Sequence, residues 1–272
     1  MSFPNNIYGR FVTVLFFLGI VFVGFSDVAF AETWNTKKSD HFIIQYRDGI
    51  ETSWASAVLR KAEYYYDRIA QEVGYSRYNK FWTWDKRVQI VVYTDANDFA
   101  QHTNQPGWAG GGAIRHRKLS AIITYKHEEG FMDGLLPHEI SHLILKDFIG
   151  RSHPIPLWFD EGVAQLQEEG KKEKARVFMR QMVKGDKYIP FRSLFNHDIR
   201  REKDVNKAAV FYIQSVSIVD FLISRYGSEN FRELCGFLKE GLSFEQALDK
   251  AYSSTIDSVD DLQKKWVSYM KF

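Results

Sequence analysis

The chain has 272 residues, 45% hydrophobic and 26% charged, with a formal net charge of +2, eight histidines and one cysteine. This is globular composition and excludes a disordered chain, while the near balance of charge gives no electrostatic footprint for nucleic acid or an anionic membrane surface. The single Cys235 excludes an intrachain disulfide framework.

Residues 1–31 read as a secretory signal. Arg10 supplies the positive n-region, Phe11–Phe25 is an apolar stretch of 15 residues, and Ala29-Phe30-Ala31 is an A-x-A cleavage site. Fifteen residues fall short of the roughly 20 that a spanning helix needs, so cleavage is expected rather than anchoring. The mature chain is then Glu32–Phe272, working in the periplasm or the medium, with no stable membrane anchor.

The mature chain begins with strand signals. His41–Tyr46 (HFIIQY), Arg87–Tyr93 (RVQIVVY) and Leu119–Tyr125 (LSAIITY) are short apolar or β-branched runs. Between the first two, Ala57, Val58, Ala62, Tyr65, Ile69 and Val73 recur at helical spacing and predict a helix over 54–73 that stops at Gly74. Gly107–Ala113 (GWAGGGA) reads as a glycine-rich turn, with an edge strand as the alternative. After Tyr125 the pattern turns helical: 131–149, 157–169, a basic helix over 171–184, then 205–226, 228–239, 243–251 and 258–270, punctuated by Gly227 and Gly241. Strands precede helices, which predicts an α+β class with its boundary near residue 150.

The chemistry concentrates at His138-Glu139-Ile140-Ser141-His142, an H-E-x-x-H pattern. On a helix, positions i and i+4 share one face about 5–6 Å apart, so two imidazoles can reach one Zn²⁺ at roughly 2.0–2.1 Å. Glu139 sits beside that face, where it can take a proton from water without ligating the metal. Leu135, Leu136, Ile140, Leu143, Ile144, Leu145, Phe148 and Ile149 surround the pattern almost all round, and such a helix is buried. Buried charge needs a partner, and a divalent cation meets that need. One cysteine cannot build a cysteine-rich structural site; two histidines and a carboxylate leave an open fourth position. Glu161, in Leu157-Trp158-Phe159-Asp160-Glu161-Gly162-Val163-Ala164, is the expected third ligand. The small Gly162 and Ala164 are expected to let its helix approach the first.

The full spacing is HExxH-x18-E. HEISH followed by WFDEGVAQ resembles the gluzincin metallopeptidases, whose aminopeptidase-type branch has this spacing and a WxxEGxA block. The mature chain is also similar to the smaller secreted peptidase MA-like domains of bacteria, through the His41–Tyr46 strand, the helical tail around Tyr212-Ile213-Gln214-Ser215 and Arg225-Tyr226-Gly227, and the terminal Trp266–Tyr269. The resemblance implies a zincin-like fold, with a mixed strand/helix N-terminal half and an all-helical C-terminal half sharing one active-site cleft. It implies one Zn²⁺ on His138, His142 and Glu161, Glu139 as general base, and a peptide or protein substrate. It further implies that Tyr212 stabilises the oxyanion and that Glu168, seven residues past the third ligand, holds a zinc histidine. The exopeptidases of that branch carry an acid for the substrate amine where this chain has Gly110-Gly111-Gly112-Ala113-Ile114, so endo- and exopeptidase readings both stay open. The alternative class is a non-catalytic zincin-like module for envelope interactions.

The remaining histidines, His41, His102, His116, His127, His153 and His197, lack ligand spacing and are expected at the surface or at caps. The basic helix over 171–184 is expected to be a solvated face. The signal reading has a direct check: N-terminal sequencing of the exported protein should give Glu32, and a retained Met1 would replace the cleaved signal with an anchor.

Overall fold

The computed structural model describes residues 34–73, 82–83, 86–103, 110–116, 119–127, 129–150, 153 and 155–272. The expected signal segment, Gly74 and the start of the glycine-rich run at Gly107 lie outside the described residues. Those described fall into two compact units: parts of Met1–Tyr66 with Lys80–Ile140, and parts of Asp67–Asn79 with Ser141–Phe272.

The first unit holds a mixed sheet of five strands in the order β1 (Trp34–Lys38), β2 (Phe42–Arg47), β3 (Val88–Tyr93), β5 (Leu119–Tyr125), β4 (Gly111–His116). The central pairs β2–β3 and β3–β5 are parallel, and the edges β1 and β4 pair antiparallel. Phe42, Ile44, Val88, Ile90, Val92 and Ile122 alternate along the central strands and are fully buried, the period of two that a strand imposes. Parallel pairing needs a crossover, and α1 (Thr52–Glu72) supplies it between β2 and β3. Its Glu63 accepts the His41 backbone N–H at 2.9 Å and meets His41 Nδ1 at 2.6 Å, while Tyr66 stacks on the His41 ring. His41 is therefore a packed anchor of α1 rather than a surface group.

The expected strands are β2, β3 and β5. The glycine-rich run differs from the turn expected for it: Gly111–His116 is the edge strand β4. Gly111 serves close approach to β5. Gly111 has φ of 147°, and a Cβ on it would lie 2.7 Å from the Ile123 carbonyl oxygen. β1 is a largely exposed edge strand and α2 (Ala96–Thr103) is only eight residues long, and neither gave a clear sequence signal.

The second unit is helical: α4 (Leu157–Leu166), α5 (Lys171–Lys184), α6 (Phe191–Asn196), α7 (Val205–Lys239), α8 (Phe244–Ala251) and α9 (Val259–Lys271). The HExxH helix α3 (Leu136–Ile149) follows a π-helical turn over Phe131–Leu135 and runs into this unit. α7 is interrupted at Gly227, whose φ of 88° and ψ of 162° separate the two helices expected there. α7 is long and apolar enough to span a bilayer, but Val216, Ile218, Val219, Phe221 and Leu222 bury its apolar face in the unit's core. An aromatic cluster fills the remainder. Trp158 stacks on Phe195 at 4.2 Å and meets the edge of Phe244 at 4.9 Å, and Phe191 tilts against Trp266 at 5.1 Å.

Two expectations are corrected in this unit. The basic face of α5 is not simply solvated: Lys172 and Arg176 converge on Asp220 of α7 at 2.9 and 2.7 Å. Asp220 is buried, and a buried carboxylate demands such partners. Gly162 does not serve approach to α3. It lies against α7, where a Cβ would sit 2.7 Å from the Ser215 carbonyl oxygen and 2.8 Å from Val219 Cγ2. Backbone cannot yield as a flexible side chain can, so Gly162→Ala should destabilise the fold by about 1–3 kcal/mol. A thermal melt that matches wild type would show that α4 and α7 separate freely.

Candidate metal centre

Pro137 is the second residue of α3, directly after the π-helical turn over Phe131–Leu135. The helix is buried around its whole circumference from Leu136 to Leu145, so His138, Glu139, Ser141 and His142 are all carried inside. α4 is likewise buried from Trp158 to Gln165, with Asp160 and Glu161 among the apolar residues.

His138, His142 and Glu161 each offer one ligand atom, and these atoms lie within 4.8 Å of one another. His142 Nε2 and Glu161 Oε1 are 3.8 Å apart, too long for a hydrogen bond and suited to a shared cation. The other ring nitrogen, His142 Nδ1, donates to Asp160 Oδ1 at 2.6 Å. Lys146, one turn beyond His142, meets Asp160 Oδ2 at 3.1 Å. Burial alone would raise the Asp160 carboxyl, but His142 and Lys146 hold it well below the usual carboxylate range. With Nδ1 committed to Asp160, the lone pair of Nε2 is left for a metal.

Glu139 uses its two oxygens differently. Oε2 accepts the backbone N–H of Ala113, in strand β4, at 2.6 Å. Oε1 is buried and has no hydrogen-bond partner among the described residues. A buried carboxylate oxygen without a partner is costly, and a water held by a metal on the neighbouring histidine would satisfy it. The donor set, two imidazoles and one carboxylate with an open position, fits zinc.

Tyr212 lies on α7, half-buried, and the Glu161 carboxylate acts on it: burial first, then that charge, pushes the phenol far above its ordinary range. It therefore stays a neutral hydrogen-bond donor. Glu168 lies just past α4 and pairs with Lys171 at 3.1 Å; the carboxylate on His142 Nδ1 is Asp160. Sequence reasoning missed Asp160, although the signal was present: it is an acid on an apolar helix, one residue before Glu161. The Ala113 N–H carried no signal, because a backbone donor is the same in every residue but proline.

Of the histidines set aside, His102 pairs with Asp98 at 3.0 Å and His197 lies 3.6 Å from Glu202. His153 packs its ring against Gly241. The side chain of His116 lies outside the described residues.

A family model described as the Peptidase MA superfamily matches residues 81–271. Among solved structures, native yeast LTA4 hydrolase is similar at 12% identity with a TM-score of 0.44, over 86% of this chain and 38% of that one. This chain thus spans well under half the length of that protein. No curated protein matches the sequence. The family match takes in β3 to β5 and every helix from α2 to α9, including both helices that carry the clustered ligands, and the chain belongs to the Peptidase MA superfamily.

Proposed function

We propose that this protein is an exported zinc metallopeptidase that hydrolyses peptide bonds. The observation that carries the reading is the buried cluster of His138 and His142 on α3 with Glu161 on α4, beside Glu139, one of whose buried oxygens has no hydrogen-bond partner among the described residues. A zinc ion bound by those three residues would supply Lewis acidity toward water and toward the scissile carbonyl.

The remaining work falls to the chain's own groups. Glu139 Oε1 takes the proton from the attacking water and returns it to the leaving amine. Its Oε2 stays tied to Ala113 N–H, so the carboxylate cannot rotate away from that task. Tyr212, kept neutral by burial and by Glu161, donates toward the oxygen on which negative charge develops. Asp160 keeps the His142 ring in one tautomer and one orientation. The outer edge of β4 offers backbone groups to an extended peptide, the pairing mode that suits a protein substrate.

A mass-spectrometric digest of a diverse peptide library by Glu32–Phe272 tests the activity. Glu139→Gln should retain zinc at one per chain and lose hydrolysis by on the order of 10³-fold, since proton acceptor and proton donor are removed together. Equal cleavage by the two proteins would end this assignment of the base. Asp160→Ala should weaken zinc binding by about 10–100-fold in chelator competition, and Asp160→Asn, which can still accept from Nδ1, should lose less. Unchanged affinity in Asp160→Ala would mean that His142 needs no support from α4.

A further inference from the structure

We propose that His127 is a positioning residue for Glu139, acting through the glycine-rich start of β4; the inference rests on the reading of Glu139 as general base.

The hydrogen bond from Ala113 to Glu139 joins two segments that are distant in sequence. Ala113 faces Ile122 in the antiparallel register of β4 on β5, and its N–H is turned out from the sheet to Glu139 Oε2. Its reach therefore depends on where β4 sits on β5. Gly111 sets the closeness of that contact, because no side chain fits between it and the Ile123 carbonyl. Gly110, one residue earlier, is held by two donors: its carbonyl accepts from Thr124 Oγ1 at 2.7 Å and from His127 Nε2 at 2.7 Å. A Cβ on Gly110 would lie 3.2 Å from His127 Cε1, so the ring also lies against the strand.

The same imidazole touches the other segment. It stacks on Tyr125 at 4.0 Å and lies parallel to Phe131 at 6.0 Å, with an interplanar angle of 5°. Phe131 opens the π-helical turn that leads into α3 and Glu139, and its ring also stacks on Trp54 of α1. One ring thus contacts both segments that carry the ends of the Ala113–Glu139 bond. π-helical turns shift the register of the helix that follows, so fixing Phe131 fixes the aim of Glu139. The Gly110 carbonyl only accepts, so Nε2 carries the hydrogen. Burial pushes the imidazole below its ordinary pKa against the pull of that carbonyl, which leaves a neutral ring and adds no cation near the carboxylate.

Two substitutions separate positioning from packing. His127→Phe keeps the stack and removes the donor. His127→Gln restores an N–H near the place of Nε2. Amide hydrogen exchange of the zinc-loaded chain Glu32–Phe272, followed by NMR, reads the Ala113 bond directly. In His127→Phe the Ala113 amide should exchange faster by about tenfold or more, the scale of a lost hydrogen bond to a charged group. The amides of β3 should keep their wild-type rates, and His127→Gln should recover most of the Ala113 protection. On a peptide cleaved in the library digest, kcat should fall in His127→Phe and return in His127→Gln, with zinc content constant. Unchanged Ala113 exchange in His127→Phe overturns the proposal. So does faster exchange that spreads equally through β3 and is not recovered by Gln, because that is loss of packing. Loss of Ala113 protection with kcat fully retained also overturns the role toward Glu139. If wild type cleaves no peptide, the metallopeptidase reading fails by itself, while the exchange result still decides whether His127 holds the Ala113–Glu139 bond.

Discussion

Helices α3 and α4 bury three carboxylates, Glu139, Asp160 and Glu161, at 2%, 4% and 3% exposure. Taking an ionised carboxylate out of water costs several kcal/mol unless positive charge or N–H groups replace the lost hydration. Each acid here has a separate solution. Asp160 is answered by His142 and Lys146, Glu139 by a backbone N–H on one oxygen, and Glu161 by its place among ligand atoms that can share a cation. The local architecture follows from meeting those demands together.

Aromatic packing makes that possible in the helical unit. Trp158 and Phe159, immediately before the acids, are fully buried among Phe195, Phe231 and Phe244, so the start of α4 cannot rotate to bring its carboxylates to solvent. Asp220, tied to Lys172 and Arg176, uses the same logic without a metal: a buried acid locks α5 to α7. A buried pair of this kind adds little net stability compared with apolar packing, but removing one partner is strongly destabilising. Both clusters therefore resist change in one partner at a time.

Much of this was legible from residue types alone. The clustering of His138, His142 and Glu161 could be read because two spacings, i to i+4 and eighteen residues, coincide with a near-continuous apolar surround. Strands β2, β3 and β5 could be read because buried central strands are apolar at period two. β4 was misread as a turn because three consecutive glycines report that backbone comes close to something without reporting what. β1, a polar edge strand, has too little buried surface to leave a pattern. Asp160 was missed because the resemblance pointed to a single supporting carboxylate, Glu168, while burial on an apolar helix also marks the acid next to Glu161. His127 lacked ligand spacing, and its contacts depend on how β4 lies on β5.

Gly162 bears on how this sequence can change over time. Asp160, Glu161 and Gly162 are consecutive, and each is fixed by a different neighbour: His142, the ligand cluster and the Ser215 carbonyl. A one-residue insertion or deletion in α4 would turn a side chain into α7 and an acid into the aromatic cluster at once. The tripeptide is therefore constrained as a block. In a saturation library its three positions should tolerate far fewer residues than the buried, apolar Val163.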